Sequence, residues 1–394
     1  MGMNSTPSAN RTHIGFFGLR NAGKSSLVNR ICGQEISVVS DYAGTTTDPV
    51  KKSMELLPLG PVVIVDTPGF DDEGALGKKR VEKTMRVLAT IDIAVLVSDA
   101  ARELTDSETE IKNLFETKKI PYIIVKNKAD LTARKGENNE AIFASALTGE
   151  GVEEIKQKLA SMNNQNEHEV HLISDKLKRG DIAVLVVPID SSAPKGRLIL
   201  PQQQVIRDLL DAGVAALVTQ DDNYPSFLDS LSVKPAVVIC DSQVFGKVNK
   251  ATPKDIPLTS FSILMARMKG FLDTAVKGAK TLSDIRGGDK ILISEGCTHH
   301  RQCEDIGTVK LPRWIKEYTK CEPVFEFSQG NSFPEDLSPY KLIIHCGGCM
   351  ITENEVKYRM NAALSQNIPF TNYGTAIAYM NGILERSCEI FDLK

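Results

Sequence analysis

The sequence predicts an α/β protein of more than one domain, on three observations. From Ile14 to about Ala160, the β-branched runs "HIGFFG", "VVIVDTPG", "IAVLVSDA" and "YIIVKNKAD" alternate with polar helical stretches. That is the pattern of a parallel sheet covered on both faces. The alternation restarts at Gly180 with "GDIAVLVVPID" and again near Thr259. Finally, 394 residues exceed what one hydrophobic core organises.

The order of elements gives provisional boundaries. A first domain spans 1–168 and closes in a polar linker, "SMNNQNEHE", at Ser161–Glu169. A small α/β unit follows at 175–258, with the helix "QQQVIRDLLDAG" closed by a glycine and the strand-like runs "VAALVTQ" and "KPAVVICDSQVFGKV". It carries no chemical motif, so its expected roles are packing, dimerisation or the transmission of motion. The third unit, 259–394, opens with one long helical pattern, "FSILMARMKGFLDTAVKGAKTL". "DKILISEGC", "PYKLIIHCGGC" and "NIPFTNYGTAIAYM" then read as strand-like runs that each feed a loop.

Composition narrows the setting. A hydrophobic content of 42% and a net charge of −3 are those of a soluble globular chain and give no reason to expect nucleic acid. No apolar run approaches the ~20 residues of a membrane span. The start, "MGMNSTPSANRTH", is polar and lacks the apolar core of a secretory signal. A cytoplasmic location is expected, where eight cysteines point to metal or redox chemistry rather than disulfides.

Gly18-Leu-Arg-Asn-Ala-Gly23-Lys24-Ser25 fits G-x-x-x-x-G-K-[ST] between a strand and a helix, the context that makes the pattern a phosphate loop. Backbone N–H groups from Gly18 to Ser26, through Asn21 and Ala22, are expected at the phosphates, with Lys24 on the outer ones and Ser25 on Mg²⁺. "DTPG" at Asp66–Gly69 ends a strand, as suits a carboxylate that holds Mg²⁺ through water. In "NKAD", Asn127, Lys128 and Asp130 also follow a strand, and the Asp130 carboxylate can accept from guanine N1–H and the 2-amino group, donors adenine lacks. Ser145 and Ala146 of "SAL" offer backbone to the guanine O6. Thr46 in "AGTTTD" is the expected switch threonine on Mg²⁺. GTP/GDP and Mg²⁺ are therefore expected ligands, and Lys24, Thr46, Asp66 and Gly69 the hydrolytic set. This ordered set resembles the potassium-stimulated GTPases that include the tRNA-modification GTPase. The resemblance implies K⁺ at Asn21. Phe70 stands where a water-orienting glutamine is usual, which leaves Asp71, Asp72 or Glu73 to that task.

Far downstream, Cys346-x-x-Cys349 follows the strand-like "KLIIH", and Cys297 follows "KILIS". Ligands gather at the carboxyl ends of parallel strands, so the three thiols converge if those strands are neighbours. Gly347 and Gly348 permit a tight turn whose N–H groups can point at sulfur. Three readings stay open on chemistry alone: an iron–sulfur cluster on the three cysteines; a structural zinc that adds His299, His300 or His345; and a Cys-x-x-Cys redox pair that leaves Cys297 idle. Cys303 fits less well. Cys32, Cys240, Cys321 and Cys388 are scattered and read as small hydrophobes.

Cys297-x-His299 with His345-Cys346-x-x-Cys349 downstream, behind a GTPase domain, resembles the FeFe-hydrogenase maturation GTPases along the whole chain. The resemblance implies a GTPase domain, a middle dimerisation domain and a C-terminal 4Fe–4S domain. It places the cluster on Cys297, Cys346 and Cys349 with one exchangeable site, and His300 and His299 rank ahead of His345 and Glu304 as fourth ligand. It further implies a homodimer that carries a transient di-iron precursor loaded by two radical-SAM maturases and delivers it to the FeFe-hydrogenase apoprotein. The rival expectation is a tRNA- or ribosome-directed GTPase with a structural zinc. The 6% aromatic content speaks against it.

Overall fold

A computed structural model describes residues 8–33, 50–69, 84–132, 140–163, 171–189, 198–296, 305–330 and 332–393. Thr46, Phe70, Asp71, Asp72, Glu73, Cys297, His299, His300, Cys303 and Glu304 lie outside them. The chain divides into two compact units, 1–168 and 169–394.

Among the described residues, the first unit is built on six strands: β1 (Thr12–Gly18), β2 (Val50–Leu56), β3 (Gly60–Asp66), β4 (Ile93–Asp99), β5 (Tyr122–Asn127) and β6 (Ala141–Phe143), in the order β2-β3-β1-β4-β5-β6. All pairs are parallel except β2–β3. The central strands β1, β3 and β4 are buried almost throughout, which is why they read as continuous apolar runs. β2 alternates in burial along its length and lies antiparallel at the sheet edge, a strand the sequence reading did not anticipate. Separate apolar clusters fill the two faces, one around Leu27, Val28 and Ile155 and the other around Ile111 and Phe115. The helix Val152–Asn163 runs into the expected linker, so Ser161 to Asn163 are helical.

The second unit holds two four-stranded parallel sheets. One, ordered β10-β9-β7-β8, consists of β7 (Ile182–Val186), β8 (Ala215–Thr219), β9 (Val237–Cys240) and β10 (Leu258–Ser260). The other, ordered β12-β11-β13-β14, consists of β11 (Lys290–Glu295), β12 (Val324–Gln329), β13 (Tyr340–His345) and β14 (Phe370–Asn372). The expected boundary between 258 and 259 falls inside β10, and a single apolar core extends through both sheets.

Two expectations about elements are corrected here. The long helical pattern from Phe261 breaks into Phe261–Met268 and Leu272–Ala279, because Gly270 turns to φ +70° between them. "PFTNYGTAIAYM" is mostly helix: after β14, Asn372 caps Tyr373–Met380 by accepting from the Thr375 N–H. β8 is an edge strand and half open, with Val218 47% exposed.

Candidate functional site: a phosphate loop and a cysteine-bearing strand edge

The carboxyl ends of β1, β3 and β5 bring the nucleotide motifs together. β1 ends at Gly18, where an added Cβ would stand 2.4 Å from the Val97 carbonyl oxygen of β4, so only glycine fits. The loop then turns through Asn21 (φ +65°) and Gly23 (φ +76°) into the helix Lys24–Cys32. Lys24 is buried and pairs with Asp66 at the end of β3, while Ser25 Oγ donates to the other carboxylate oxygen of Asp66 at 2.9 Å. Burial lowers the Lys24 pKa, and the Asp66 charge opposes that shift. Thr67 pins the following turn to β1 by donating its hydroxyl to the Phe16 carbonyl at 2.6 Å. That turn packs Gly69 against the backbone of Arg20. Lysine, serine and carboxylate thus meet at one point, as phosphate and Mg²⁺ binding require.

Asn127, 1% exposed at the end of β5, ties the "NKAD" and "SAL" loops to the phosphate loop. Its amide donates to the Ala22 carbonyl at 2.9 Å and the Gly23 carbonyl at 3.3 Å, and its oxygen accepts the Ala146 N–H at 3.1 Å. A Cβ on Gly23 would come within 2.3 Å of that amide nitrogen. Lys128 adopts φ +64° and donates to Asp99 at 2.8 Å, and exposed Asp130 follows it. Ser145 is buried, and its hydroxyl accepts the Thr148 N–H at 3.1 Å, which closes the "SAL" turn. The sequence reading missed the support behind these loops. Glu108, fully buried, bonds Ser98, Arg102 and the Thr105 N–H, and Lys126 reaches the Arg102 carbonyl at 2.6 Å. The signal was present in T-x-x-E, the capping box closed by Thr105 and Glu108.

The second candidate region lies at the carboxyl ends of β11 and β13, which are adjacent and parallel, with Ser294 opposite His345. The ladder continues one step further, since the Cys346 N–H donates to the Ser294 carbonyl at 2.9 Å. Cys346 Sγ then accepts the Gly296 N–H at 3.2 Å and the Gly348 N–H at 3.4 Å, the latter from a turn in which Gly348 sits at φ +68°. Cys297 is the next residue after Gly296. Burial pushes the Cys346 thiol up, while the two N–H groups pull the other way and the nearby Glu295 carboxylate adds to the rise. Among the described residues, no group of three His, Cys, Asp or Glu side chains is placed to hold a metal ion. Cys346 and Cys349 are both half-buried.

His345 is a weaker ligand than the spacing implied. It is wholly buried, its Nδ1 donates to the Cys346 carbonyl at 2.7 Å, and its Nε2 faces Arg359 Nη1 at 3.4 Å, which leaves no lone pair for a metal. Burial, joined by the Arg359 charge, lowers its pKa to about 3.

Comparison with known proteins resolves which family this architecture serves. Residues 172–270 match the hydrogen maturase F dimerization domain, and residues 273–390 match the hydrogen maturase F tetramerization domain. The two matches adjoin and together span more than half of the chain. The chain belongs to the hydrogen maturase F family. Its members' oligomerisation domains occupy the second unit, and residues 13–128 of the first match a GTPase domain described as a 50S ribosome-binding GTPase.

Curated relatives cover the GTPase part of this family member. The tRNA modification GTPase MnmE of Clostridioides difficile is 36% identical over 152 residues, 37% of this chain and 33% of that protein. GTPase Der of Wolinella succinogenes is 34% identical over 163 residues, 37% of this chain and 34% of that protein. The chain thus spans about a third of the length of these relatives. Among solved structures, Aquifex aeolicus Era bound to GDP·AlF4⁻ aligns with 56% of this chain and 98% of its own, at 18% identity and a TM-score of 0.34. No helix among the described residues is long and apolar enough to cross a membrane.

Proposed function

We propose that this chain is a GTP-hydrolysing scaffold or carrier of hydrogenase maturation. In this reading Cys297, Cys346 and Cys349 hold a 4Fe–4S cluster, and the protein assembles or delivers the di-iron subcluster precursor to the FeFe-hydrogenase apoprotein. Two radical-SAM maturases are its expected loading partners, and a homodimer built on 175–258 its expected form. The observation that carries the reading is the pairing of β11 with β13, which sets Gly296 against Cys346 Sγ. The donor chemistry fits the group: a cysteine sulfur that accepts two backbone N–H groups at a glycine turn is what a thiolate-held cluster needs. Such a cluster, with three protein thiolates, supplies one iron at which a further ligand can dock. His299 or His300 would complete it, His345 being engaged elsewhere.

Within the first unit, Lys24 and Ser25 hold the phosphates and Mg²⁺, Asp66 orders the metal's water, and Asp130 selects guanine. Asn21 offers its side chain to K⁺, which would supply positive charge at the phosphates where other GTPases use an arginine. Thr46 completes the Mg²⁺ sphere in this reading. The deciding test is the iron and sulfide content of anaerobically prepared Cys346→Ser. It should lose most of its iron, because two thiolates hold a cubane poorly, while GTP turnover is unchanged. Full cluster content with normal activation of apo-hydrogenase would refute the reading.

A further inference from the structure

Behind the cysteine turn lies a buried cation that nothing in the nucleotide chemistry uses. Arg359, on the helix Glu353–Ser365, is 2% exposed. Its guanidinium fastens the ends of three neighbouring strands. Nη1 points at Ser294 Oγ and the Glu295 carbonyl, both at 3.5 Å on β11, and at His345 Nε2 at 3.4 Å on β13. Nη2 donates to the Gly330 carbonyl at 2.6 Å, just beyond β12, and to Glu355 one helical turn back. The face of Phe333 covers it at 5.4 Å. Among the described residues, the charged and titratable groups around it are two carboxylates, Glu355 and Glu295, the neutral His345, the Cys346 thiol on which its charge acts, and the Tyr373 hydroxyl that donates to Glu295 at 3.2 Å. All but the half-buried Cys346 are buried or nearly so.

A buried guanidinium is costly unless its charge is answered. Glu355 answers that charge, yet three strand ends could be joined by neutral groups without any buried ion pair. The atoms it grips, Ser294, Glu295 and His345, immediately precede the two positions from which the cysteine loops leave the sheet. We propose that Arg359 is a positioning residue for the cysteine-held cluster: it fixes the two loop origins and its positive charge, moderated by Glu355, sets the cluster's reduction potential. This rests on the cluster reading above. Charge close to an iron–sulfur group shifts its potential in a signed way, since a nearby cation favours the electron-richer state.

The experiment compares Arg359→Gln, Arg359→Lys and Glu355→Gln in the anaerobic full-length protein, by iron content, electron paramagnetic resonance and redox titration. Arg359→Gln should move the midpoint potential to more negative values and Glu355→Gln to more positive ones. Arg359→Lys, which keeps the charge and loses the fork, should stay near the unchanged protein while broadening the spectrum. A circular dichroism melt of each variant that matches the unchanged protein reports that the second unit, which carries Arg359, is folded. Shifts of the same sign in Arg359→Gln and Glu355→Gln, or no shift in a fully loaded Arg359→Gln, would overturn the assignment and leave the cluster reading intact. A variant that folds but carries no iron in all three cases would reduce Arg359 to a purely structural tie and overturn the charge role. An unchanged protein that binds no iron would instead sink the cluster reading, and this inference with it.

Discussion

Asn127 ties the phosphate loop to the turn at Ala146 through three hydrogen bonds, and none of them reaches the Asp130 carboxylate, the proposed base selector. At a net ~1 kcal/mol each, Asn127→Ala should weaken GTP binding by about 2–3 kcal/mol, roughly 30- to 150-fold. Titration with a fluorescent GTP analogue measures this, and an unchanged Kd would mean the loops are held by other contacts. Asn21, exposed at φ +65° on the rim of the phosphate loop, carries the cation prediction. Exchange of Na⁺ for K⁺ should raise turnover, and Asn21→Ala should erase most of the difference. Equal rates in both salts would remove potassium from the account. The nucleotide motifs were readable because each stands at a strand end, where the structure brings Lys24, Ser25 and Asp66 together. His345, already ranked behind His300 and His299, stayed a candidate because spacing reveals that a histidine lies beside a cysteine but not where its lone pair goes, which depends on Arg359 from a distant helix.

Among elements, β8 offers a surface for a second copy. Among the described residues it ends its sheet, with Ala215 and Val218 exposed, and a parallel edge with apolar side chains invites pairing. The match of 172–270 to a dimerization domain places that role in the same stretch. Val218→Lys should therefore shift the mass seen by light scattering toward the monomer, with the fold kept because the side chain faces outward. A mass that does not change would move the interface elsewhere. Buried strands such as β4 and β9 were legible as unbroken apolar runs. β2 was not, since its alternating Val50–Leu56 pattern carries lysines and only its pairing with β3 makes it a strand. The break at Gly270 was also passed over: "ARMKGFL" keeps apolar residues near helical spacing, but the glycine takes φ +70° and ends the first helix.

For the whole molecule, two units with separate cores imply two separable activities. Residues 1–168 expressed alone should hydrolyse GTP, and 169–394 alone should unfold cooperatively and bind iron. Circular dichroism melts and iron assays check both, and a second unit that is unfolded in isolation would show that the division into compact units is not a division of stability. The pairing of β11 with β13 has one further consequence, in time. Gly296 and Cys346 are 50 residues apart in the chain, and parallel partners cannot meet until the later one has been made. At a synthesis rate of about 5–20 residues per second, that interval is roughly 3–10 s. β13 then remains an open edge until β14 is added and the helix Tyr373–Met380 packs behind it. During translation the first thiol therefore waits without its counterparts on a growing chain, exposed to whatever oxidant or stray metal the ribosome's surroundings hold. In the proposed reading, a cluster is therefore loaded only onto the finished polypeptide, and a cell that makes this protein in air spends those seconds at risk.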